Sequence, residues 1–349
     1  MRKIVTIMTA LVPTVGHQYL LNFVNAFAIE VGAIAHVILC TRSHEPGIQQ
    51  RLLAVKATRQ SNMLHHYQDD DAPQFPRGED DAAFWEYWRD AVQSQVGEMT
   101  SEDFFVASEP YGVKMAKVLG CQFVPCDVYR EVVPARGTEV RENLWHHFDK
   151  VMPTFRHNLV TTVTVFGAES VGKTTMAKAM AGTLNGAYVH EWARQYLETV
   201  GAEVTLDKMR VICGAQAAAQ RAARLNVEKP FVFMDTDLLS TLGYYRIYAK
   251  PEDYEAEKRY LETMIANFKS DLYVVMNSGI PFEPDQLRYG GDERESTDQF
   301  WIDLLEEYEC EYYVVESTDT DAQLAEVKKA CWDAFQKKNA AYTNFVRET

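Results

Sequence analysis

Apolar positions along the chain come in short, nearly continuous runs separated by stretches whose hydrophobic residues recur at helical spacing. Ile4 to Leu11 is the first run. A turn at Pro13 to Gly16 follows, then an apolar helical stretch from Tyr19-Leu20-Leu21 to Phe27-Ala28, then Ala35 to Leu39 as a second buried strand. The same order returns later: Leu159 to Phe166 reads as strand, Val171 to Leu184 as helix, Ala187 to His190 as strand, and Leu206 to Val227 as a long helix rich in Ala and Arg. Phe231 to Met234, Leu272 to Met276 and Tyr312 to Val315 supply further strands, and Ala322 to Phe335 a closing helix. Continuous apolar strands alternating with helices predict an α/β fold with parallel sheets covered on both faces.

Between the two openings, Tyr67 to Asp81 is polar, carries Asp69-Asp70-Asp71 with Pro73 and Pro76, and reads as a surface loop whose acids are solvated. Ala82 to Val96 is helical and aromatic, with Phe84, Trp85, Tyr87 and Trp88 close together. Phe104 to Ala107 and Gln122 to Pro125 are short strands flanking a helix at Gly112 to Leu119. Trp145, Phe148, Val151 and Phe155 keep helical spacing across a stretch interrupted by Pro153, which carries the chain from one domain to the next. The boundary is placed near His157, giving domains 1–157 and 158–349. At about 150 residues per domain, 349 residues suit two.

Composition narrows the class. With 47% hydrophobic and 24% charged residues, and no apolar run near the roughly 18 residues a membrane helix needs, disorder and membrane spanning are set aside. Met1-Arg2-Lys3 before an apolar run has the outline of a secretory signal, but Pro13 and Gly16-His17 read better as a strand entering a functional loop. The six cysteines are scattered without a C-x-x-C pair, which suits reduced thiols in a cytoplasmic protein. Lys and Arg number 35 against 50 Asp and Glu, a net charge of -15 that opposes broad binding to nucleic acid. An anionic small molecule must therefore meet positive charge concentrated locally.

Gly167-Ala168-Glu169-Ser170-Val171-Gly172-Lys173-Thr174 fits G-x-x-x-x-G-K-[ST] between a β-branched strand and a helix, the context that a phosphate-binding loop requires. Its glycines let backbone N–H groups curl around phosphate oxygens, and the helix adds roughly half a positive charge at its N-terminus. Lys173 is expected to neutralise the transferring phosphate of ATP, the Thr174 hydroxyl to bind Mg²⁺, and Thr175 to extend the phosphate contacts. Glu191 stands just past the second strand of this half, where a carboxylate can hold or deprotonate a hydroxyl. Asp235 and Asp237 follow Phe231 to Met234, two acids at a strand end as a Walker-B-type Mg²⁺ site requires. Arg288 and Arg294 flank Gly290-Gly291, a pattern for a mobile lid carrying arginines.

At the other opening, Thr14-Val15-Gly16-His17 puts His17 at a helix start, where an imidazole beside backbone N–H groups can bind ATP phosphates and the charge on a departing pyrophosphate. Thr138-Glu139-Val140-Arg141 can cap a helix and bring an arginine to phosphate, with Arg51 as further positive charge.

On these motifs the chain resembles the bifunctional nicotinamide-mononucleotide adenylyltransferase and ribosylnicotinamide kinase family, the NadR-like proteins. Thr14 to His17 resembles the family's H/T-x-G-H loop, with Thr14 in place of the first histidine and one residue fewer after Pro13. Ala135 to Arg141 resembles its second motif, I/V-S-x-T-x-x-R, with Arg136 where Ser is usual, and Ser108 to Gly112 a further segment. The later half is similar through Gly167 to Ser170, Glu191 to Arg194, Asp235 to Asp237, and Leu287-Arg288 with Arg294. Trp85-Glu86-Tyr87-Trp88 resembles a segment near the mononucleotide pocket.

The resemblance implies an N-terminal Rossmann-like nucleotidyltransferase domain and a C-terminal P-loop kinase domain. It implies phosphorylation of nicotinamide riboside and adenylylation of the resulting mononucleotide (NMN) to NAD and pyrophosphate, with ATP as co-substrate and Mg²⁺ as cofactor. It assigns His17, Arg141, Lys173, Glu191 and Asp235 to catalysis, with Asp237 as the other candidate for the hydroxyl. ATP or phosphate binding falls to Thr14, Gly16, Thr138, Gly167, Ser170, Gly172, Thr174, Thr175, Arg288 and Arg294. The nicotinamide substrate falls to Trp85, Trp88, Arg194 and Asp237, and Mg²⁺ to Thr174 and Asp235. With the first strand beginning at Ile4, the family's optional N-terminal DNA-binding domain and a repressor role are not expected. Expected partners are small molecules, with neither nucleic acid nor membrane, and a homo-oligomer is left open. Two alternatives stand beside this reading: an enzyme acting on another phosphate monoester, and a nucleotide sensor whose N-terminal site is inactive.

Overall fold

The computed structural model describes residues 1–58, 62–78, 81–201, 205–225, 227–276 and 294–345. Contacts divide the chain into two units, Met1–Asn158 with Ala340–Thr349 and Leu159–Asn339.

In the first unit the chain runs β1 (Lys3–Met8), α1 (Val15–Val31), β2 (Ile34–Thr41), α2 (Ile48–Lys56), β3 (Asn62–Gln68), α3 (Ala82–Val96), β4 (Phe104–Ala107), α4 (Gly112–Leu119) and β5 (Gln122–Pro125). Two short helices follow, α5 (Gly137–Glu142) and α6 (Pro153–Arg156). The sheet is wholly parallel in the order β3-β2-β1-β4-β5, so the first strand lies in the middle and the chain adds strands to both sides of it. In such a sheet a crevice opens at the carboxyl ends of the central strands.

Alternation along the strands explains why the strands read as continuous apolar runs. Val5, Ile38 and Phe105 face α3 and α4 through Trp85, Trp88, Met115 and Leu119. Ile4, Ala35 and Val106 face the opposite way, onto Leu20, Val24 and Ala28 of α1. Both faces are dry, as a parallel sheet requires.

Strand β3 is where the polar pattern misleads. Asn62-Met63-Leu64-His65-His66-Tyr67-Gln68 has few apolar residues, yet it pairs in register with β2 from Ala35↔Asn62 to Thr41↔Gln68. Its histidines are satisfied by partners on β2: His36 Nδ1 lies 3.0 Å from His65 Nε2, and Thr41 Oγ1 2.8 Å from His66 Nε2. The expected loop begins at Asp69, whose carboxylate accepts a hydrogen bond from Tyr87 Oη.

The second unit runs β6 (Thr161–Phe166), α7 (Lys173–Thr183), β7 (Gly186–Val189), α8 (Trp192–Val200), α9 (Leu206–Leu225), β8 (Phe231–Met234), α10 (Leu238–Tyr248), α11 (Pro251–Phe268), β9 (Leu272–Val275), α12 (Arg294–Glu307), β10 (Tyr312–Val314) and α13 (Thr320–Thr343). Its parallel sheet has the order β10-β9-β6-β8-β7, again with the first strand central. Every residue of β6 is buried, including Thr161, Thr162 and Thr164. Two of these threonines are answered at the far end of the strand from Gly167: the Thr162 amide and hydroxyl both donate to Asp271, and Thr164 Oγ1 pairs with Ser270 Oγ at 2.7 Å, while the Thr161 hydroxyl finds no hydrogen-bond partner among the described residues.

Residues 340–345, expected with the second domain, group with the first unit, so α13 belongs to the second unit only as far as Asn339. There Tyr342 meets Phe155 edge-on, and Phe345 stacks on His44. No helix among the described residues is long and apolar enough to cross a membrane.

Burial, then the His65 ring and Lys3, lower the His36 pKa against the pull of Asp103, and burial also lowers that of His65. The unfolded chain takes up these protons near pH ~6.5, the folded unit only below that. In that window the unfolded state holds more protons, so stability falls as pH falls through it. His36→Gln is expected to flatten this decline in urea unfolding followed by circular dichroism between pH ~7.5 and ~5.5, the window set by ordinary histidine titration. A slope equal to that of the unsubstituted chain contradicts the assignment.

Candidate active sites at the carboxyl edges of the two sheets

In the first unit the chain leaves β1 and is clasped before α1 begins. Thr14 makes an antiparallel bridge with Val151, and the Met152 amide donates to the Pro13 carbonyl at 2.8 Å. Thr14 is the N-cap of α1, with extended backbone and a buried side chain. Its amide donates to His17 Nδ1 at 3.0 Å, and its hydroxyl lies 2.8 Å from the same nitrogen. Nδ1 is thereby an acceptor, which leaves Nε2 as the N–H donor of a neutral ring. A threonine at position 14 thus orients His17 through both its backbone and its side chain.

The second motif lies against this loop. A Cβ added to Gly16 would sit 3.2 Å from the Ala135 carbonyl, and one on Gly137 3.9 Å from His17 Cε1. Helix α5 starts at Gly137 with Arg136 at the cap position, so Thr138 falls inside its first turn instead of capping it. Arg141 is half-buried, donates to the Phe345 carbonyl at 3.2 Å, and has its pKa lowered by burial. Arg51 is not an open phosphate contact: it is fully buried, paired with Glu45 at 2.9 Å and bonded to the Thr9 carbonyl.

Trp85 and Trp88, expected against the nicotinamide ring, belong to the core beneath α3 at 7% and 8% exposure. Trp88 donates its indole N–H to the Pro73 carbonyl at 3.0 Å, and Lys114 lies over the Trp85 ring. The structure places both as packing residues.

In the second unit β6 delivers the loop Gly167 to Gly172, and α7 begins at Lys173. Gly167 has φ +125, and a Cβ there would lie 2.7 Å from the Met276 carbonyl oxygen, so both conformation and space demand glycine. Ser170 at φ 57 and Gly172 at φ 86 are left-handed, the backbone form that turns successive N–H groups inward into an anion-binding concavity. Lys173 Nζ reaches back over the loop, donating to the Gly167 and Ala168 carbonyls and to Tyr244 Oη. Thr175 is exposed on the first turn of α7.

Three acids were expected beside this loop. Asp235 follows β8, and its Oδ2 accepts from Thr174 Oγ1 at 2.6 Å and from Tyr188 Oη at 3.3 Å. Glu191 is the N-cap of α8, yet its side chain makes no cap bond. Burial raises its pKa, opposed by Lys173, assisted by Asp235, opposed by Arg194 and assisted by Glu169. Those neighbours place Glu191 in the field of the loop lysine and of Asp235. Arg194 lies one turn into α8, 4.0 Å from Glu198.

Asp237 does not join them. Its side chain is 1% exposed, caps α10 by accepting from the Ser240 amide at 2.9 Å, and accepts from Tyr273 Oη at 2.6 Å. Burial raises its pKa even so. A carboxylate committed to a helix cap and a buried phenol is an internal support, which corrects the expectation that it meets the substrate. Arg288 lies outside the described residues, and of Arg294 only its position at the start of α12 is described.

Gln216 was not anticipated. It is 2% exposed on α9, accepts from the Trp192 amide at 3.1 Å through Oε1, and donates to the Thr236 carbonyl at 2.8 Å through Nε2. Two glutamines one turn apart in an Ala-rich helix, Gln216 and Gln220, look alike in the sequence; only the fold reveals the partners of the first.

Among the described residues no group of three or more His, Cys, Asp or Glu is arranged to hold a metal. Thr174 and Asp235 nevertheless bring two hard oxygen donors together. Mg²⁺ suits such a site, because it binds through one or two protein oxygens and takes its remaining ligands from phosphate and water.

The geometry defines an α/β chain of two parallel-sheet units, the second carrying a phosphate-binding loop with acids at neighbouring strand ends. Residues 162–323 match the AAA domain family. Across 293 residues, 80% of this chain and 68% of the relative, the chain is 23% identical to the trifunctional NAD biosynthesis/regulator protein NadR of Escherichia coli (strain K12). Identity to the protein of the same name from Salmonella typhimurium (strain LT2) is 22% over the same share. The crystal structure of NadR protein in complex with NR superposes with TM-score 0.68 at 20% identity, covering 100% of this chain and 98% of that one. NadR in complex with NAD and AMP-PNP gives 0.66 at 19%, with the same coverage. The chain is a homologue of the NadR proteins, as the resemblance of its motifs implied.

Asp237→Ala removes a helix cap worth about 1 kcal/mol and strands the Tyr273 hydroxyl at a further ~1–3 kcal/mol. Urea unfolding is expected to show a loss of about 2–4 kcal/mol from those two terms. A loss below about 1 kcal/mol, the size of a surface substitution, would return Asp237 to the list of ligand contacts.

Proposed function

We propose that the chain is a bifunctional enzyme of NAD salvage. The second unit phosphorylates nicotinamide riboside with ATP, and the first joins the resulting mononucleotide to the adenylyl group of ATP, giving NAD and pyrophosphate. The observation that carries the reading is the carboxyl edge of the second sheet, where Lys173, the Thr174–Asp235 pair and Glu191 surround one phosphate loop. Homology to NadR, whose solved structures hold NR and NAD with AMP-PNP, supports the riboside as acceptor and NAD as product.

In the kinase reaction the loop amides and Lys173 hold the ATP phosphates, and Lys173 exchanges its bonds to Gly167 and Ala168 for the transferring phosphate. Thr174 and Asp235 would hold Mg²⁺, which would supply positive charge against those phosphates. Glu191 accepts the proton of the 5′-hydroxyl as that oxygen attacks the γ-phosphorus and the bond to the β–γ bridging oxygen breaks, releasing ADP. Its raised pKa brings it nearer to the value a base needs, and Arg194 from the next turn contributes to the riboside side of the site.

In the adenylyl transfer the nucleophile is already a phosphate anion, so no base is required; position and positive charge suffice. Gly16 lets the loop approach the ATP phosphates. His17, fixed by Thr14, directs its Nε2–H at the bridging or departing oxygens. Thr138 and Arg141 bind the phosphates from α5.

Glu191→Gln is expected to lower kcat for riboside phosphorylation by about 10²–10⁴, the usual worth of a positioned base. Unchanged kcat would move the base elsewhere. Lys173→Met should abolish riboside phosphorylation while sparing NAD synthesis from mononucleotide, and His17→Ala should do the reverse, measured by chromatography of the nucleotides. Loss of both activities in either variant contradicts two independent sites.

A further inference from the structure

The strand ends that carry Glu191 and Asp235 part company immediately after their last main-chain bond. Strands β7 and β8 are paired to Val189↔Met234, and the Asp235 amide donates to the Val189 carbonyl at 3.0 Å. Beyond that bond one chain turns into α8 and the other into α10, so the ladder can no longer hold the two carboxylates at a fixed separation. The next cross-link is a side chain. Gln216 accepts from the Trp192 N–H at 3.1 Å and donates to the Thr236 carbonyl at 2.8 Å, and it is 2% exposed.

Its amide does what a peptide group of a further strand does, offering one acceptor and one donor across the gap. Each of the backbone groups it satisfies is adjacent in sequence to an acid of the proposed kinase site: Trp192 to Glu191, and Thr236 to Asp235. The bond to Trp192 also answers the first orphan N–H of α8 from outside the helix. Glu191, although it occupies the cap position, makes no cap bond with its carboxylate. The cap residue of this helix is thereby left available for chemistry.

The structure assigns Gln216 as a positioning residue of the phosphoryl-transfer site: it replaces the strand ladder beyond Asp235 and fixes the spacing of Glu191 and Asp235. This rests on the kinase reading given above. Gln216 is buried with both amide atoms engaged by backbone, so it acts through the acids and not on a ligand. Its removal leaves the loop amides and Lys173, which carry most of the hold on ATP, in place and loosens the acids, so turnover suffers more than nucleotide binding. A displacement of about 1 Å at such groups costs about 10²-fold in rate.

A control lies one turn along the same helix. Gln220 is also 2% exposed, but neither atom of its amide has a hydrogen-bond partner among the described residues. Gln216→Met and Gln220→Met remove equivalent amides from equally buried positions, and only the first severs the cross-link.

The experiment measures kcat and the ATP KM for phosphorylation of nicotinamide riboside in the full chain and both variants, with folding checked by circular dichroism. Gln216→Met is expected to lower kcat about tenfold to a hundredfold, within the cost of a displacement of this size, with the ATP KM within about twofold. Gln220→Met is expected to keep both constants. Gln216→Glu, of the same shape, keeps the acceptor for Trp192 and loses the donor to Thr236; an intermediate fall in kcat is expected, and it serves where the methionine variant does not fold. Full kcat in folded Gln216→Met or Gln216→Glu overturns the proposal, as does an equal fall in Gln220→Met. Should the unsubstituted chain fail to phosphorylate the riboside, the kinase reading itself fails and takes the proposal with it.

Discussion

The chemistry of the second unit depends on a close approach of two backbones. Gly167 leaves β6 beside the end of β9, so near that a side chain would drive into the Met276 carbonyl. The Met276 amide donates to the Phe166 carbonyl at 2.9 Å, so this approach is the last rung of the β6–β9 ladder. From there Ser170 and Gly172 take left-handed conformations, the loop curls, and α7 starts with Lys173 and Thr174 on its first turn. The strand on the other side, β8, then needs only one residue beyond its end to bring Asp235 to Thr174. Placement of lysine, hydroxyl and carboxylate thus follows from the sheet, and the helices behind it hold the sheet still.

The first unit solves a related problem differently. Its loop has no run of glycines; it is held by Val151 and Met152 from outside and by the Thr14–His17 bonds from within. A net charge of -15 makes local arrangement decisive in both units, because the overall field repels the phosphates that the proposed reactions handle. Positive ends of helices and a few committed cations must do what the surface at large does not.

How much of this was legible in the sequence depended on whether a signal was periodic or positional. The two strand–turn–helix openings, the parallel α/β class and the phosphate loop could be read directly, because buried strands are continuous in hydrophobicity and the loop has fixed spacing. Strand β3 was hidden because its polar residues are satisfied by β2, which alternation cannot express. Asp235 and Asp237 look alike in the sequence, two acids after one strand, yet one faces Thr174 and the other caps α10. Trp85 and Trp88 resemble a segment near a mononucleotide pocket, yet their burial places both rings in the core. Gln216 had no local signal, since its meaning lies in two turns 24 and 20 residues away.

Coupling of the two reactions in one chain is the central claim, and mass spectrometry of the products tests it most directly. The purified chain, given nicotinamide riboside and ATP with Mg²⁺ and no other enzyme, should form mononucleotide first and then NAD with release of pyrophosphate. Mononucleotide that accumulates without NAD, or riboside that stays unmodified, would contradict the account.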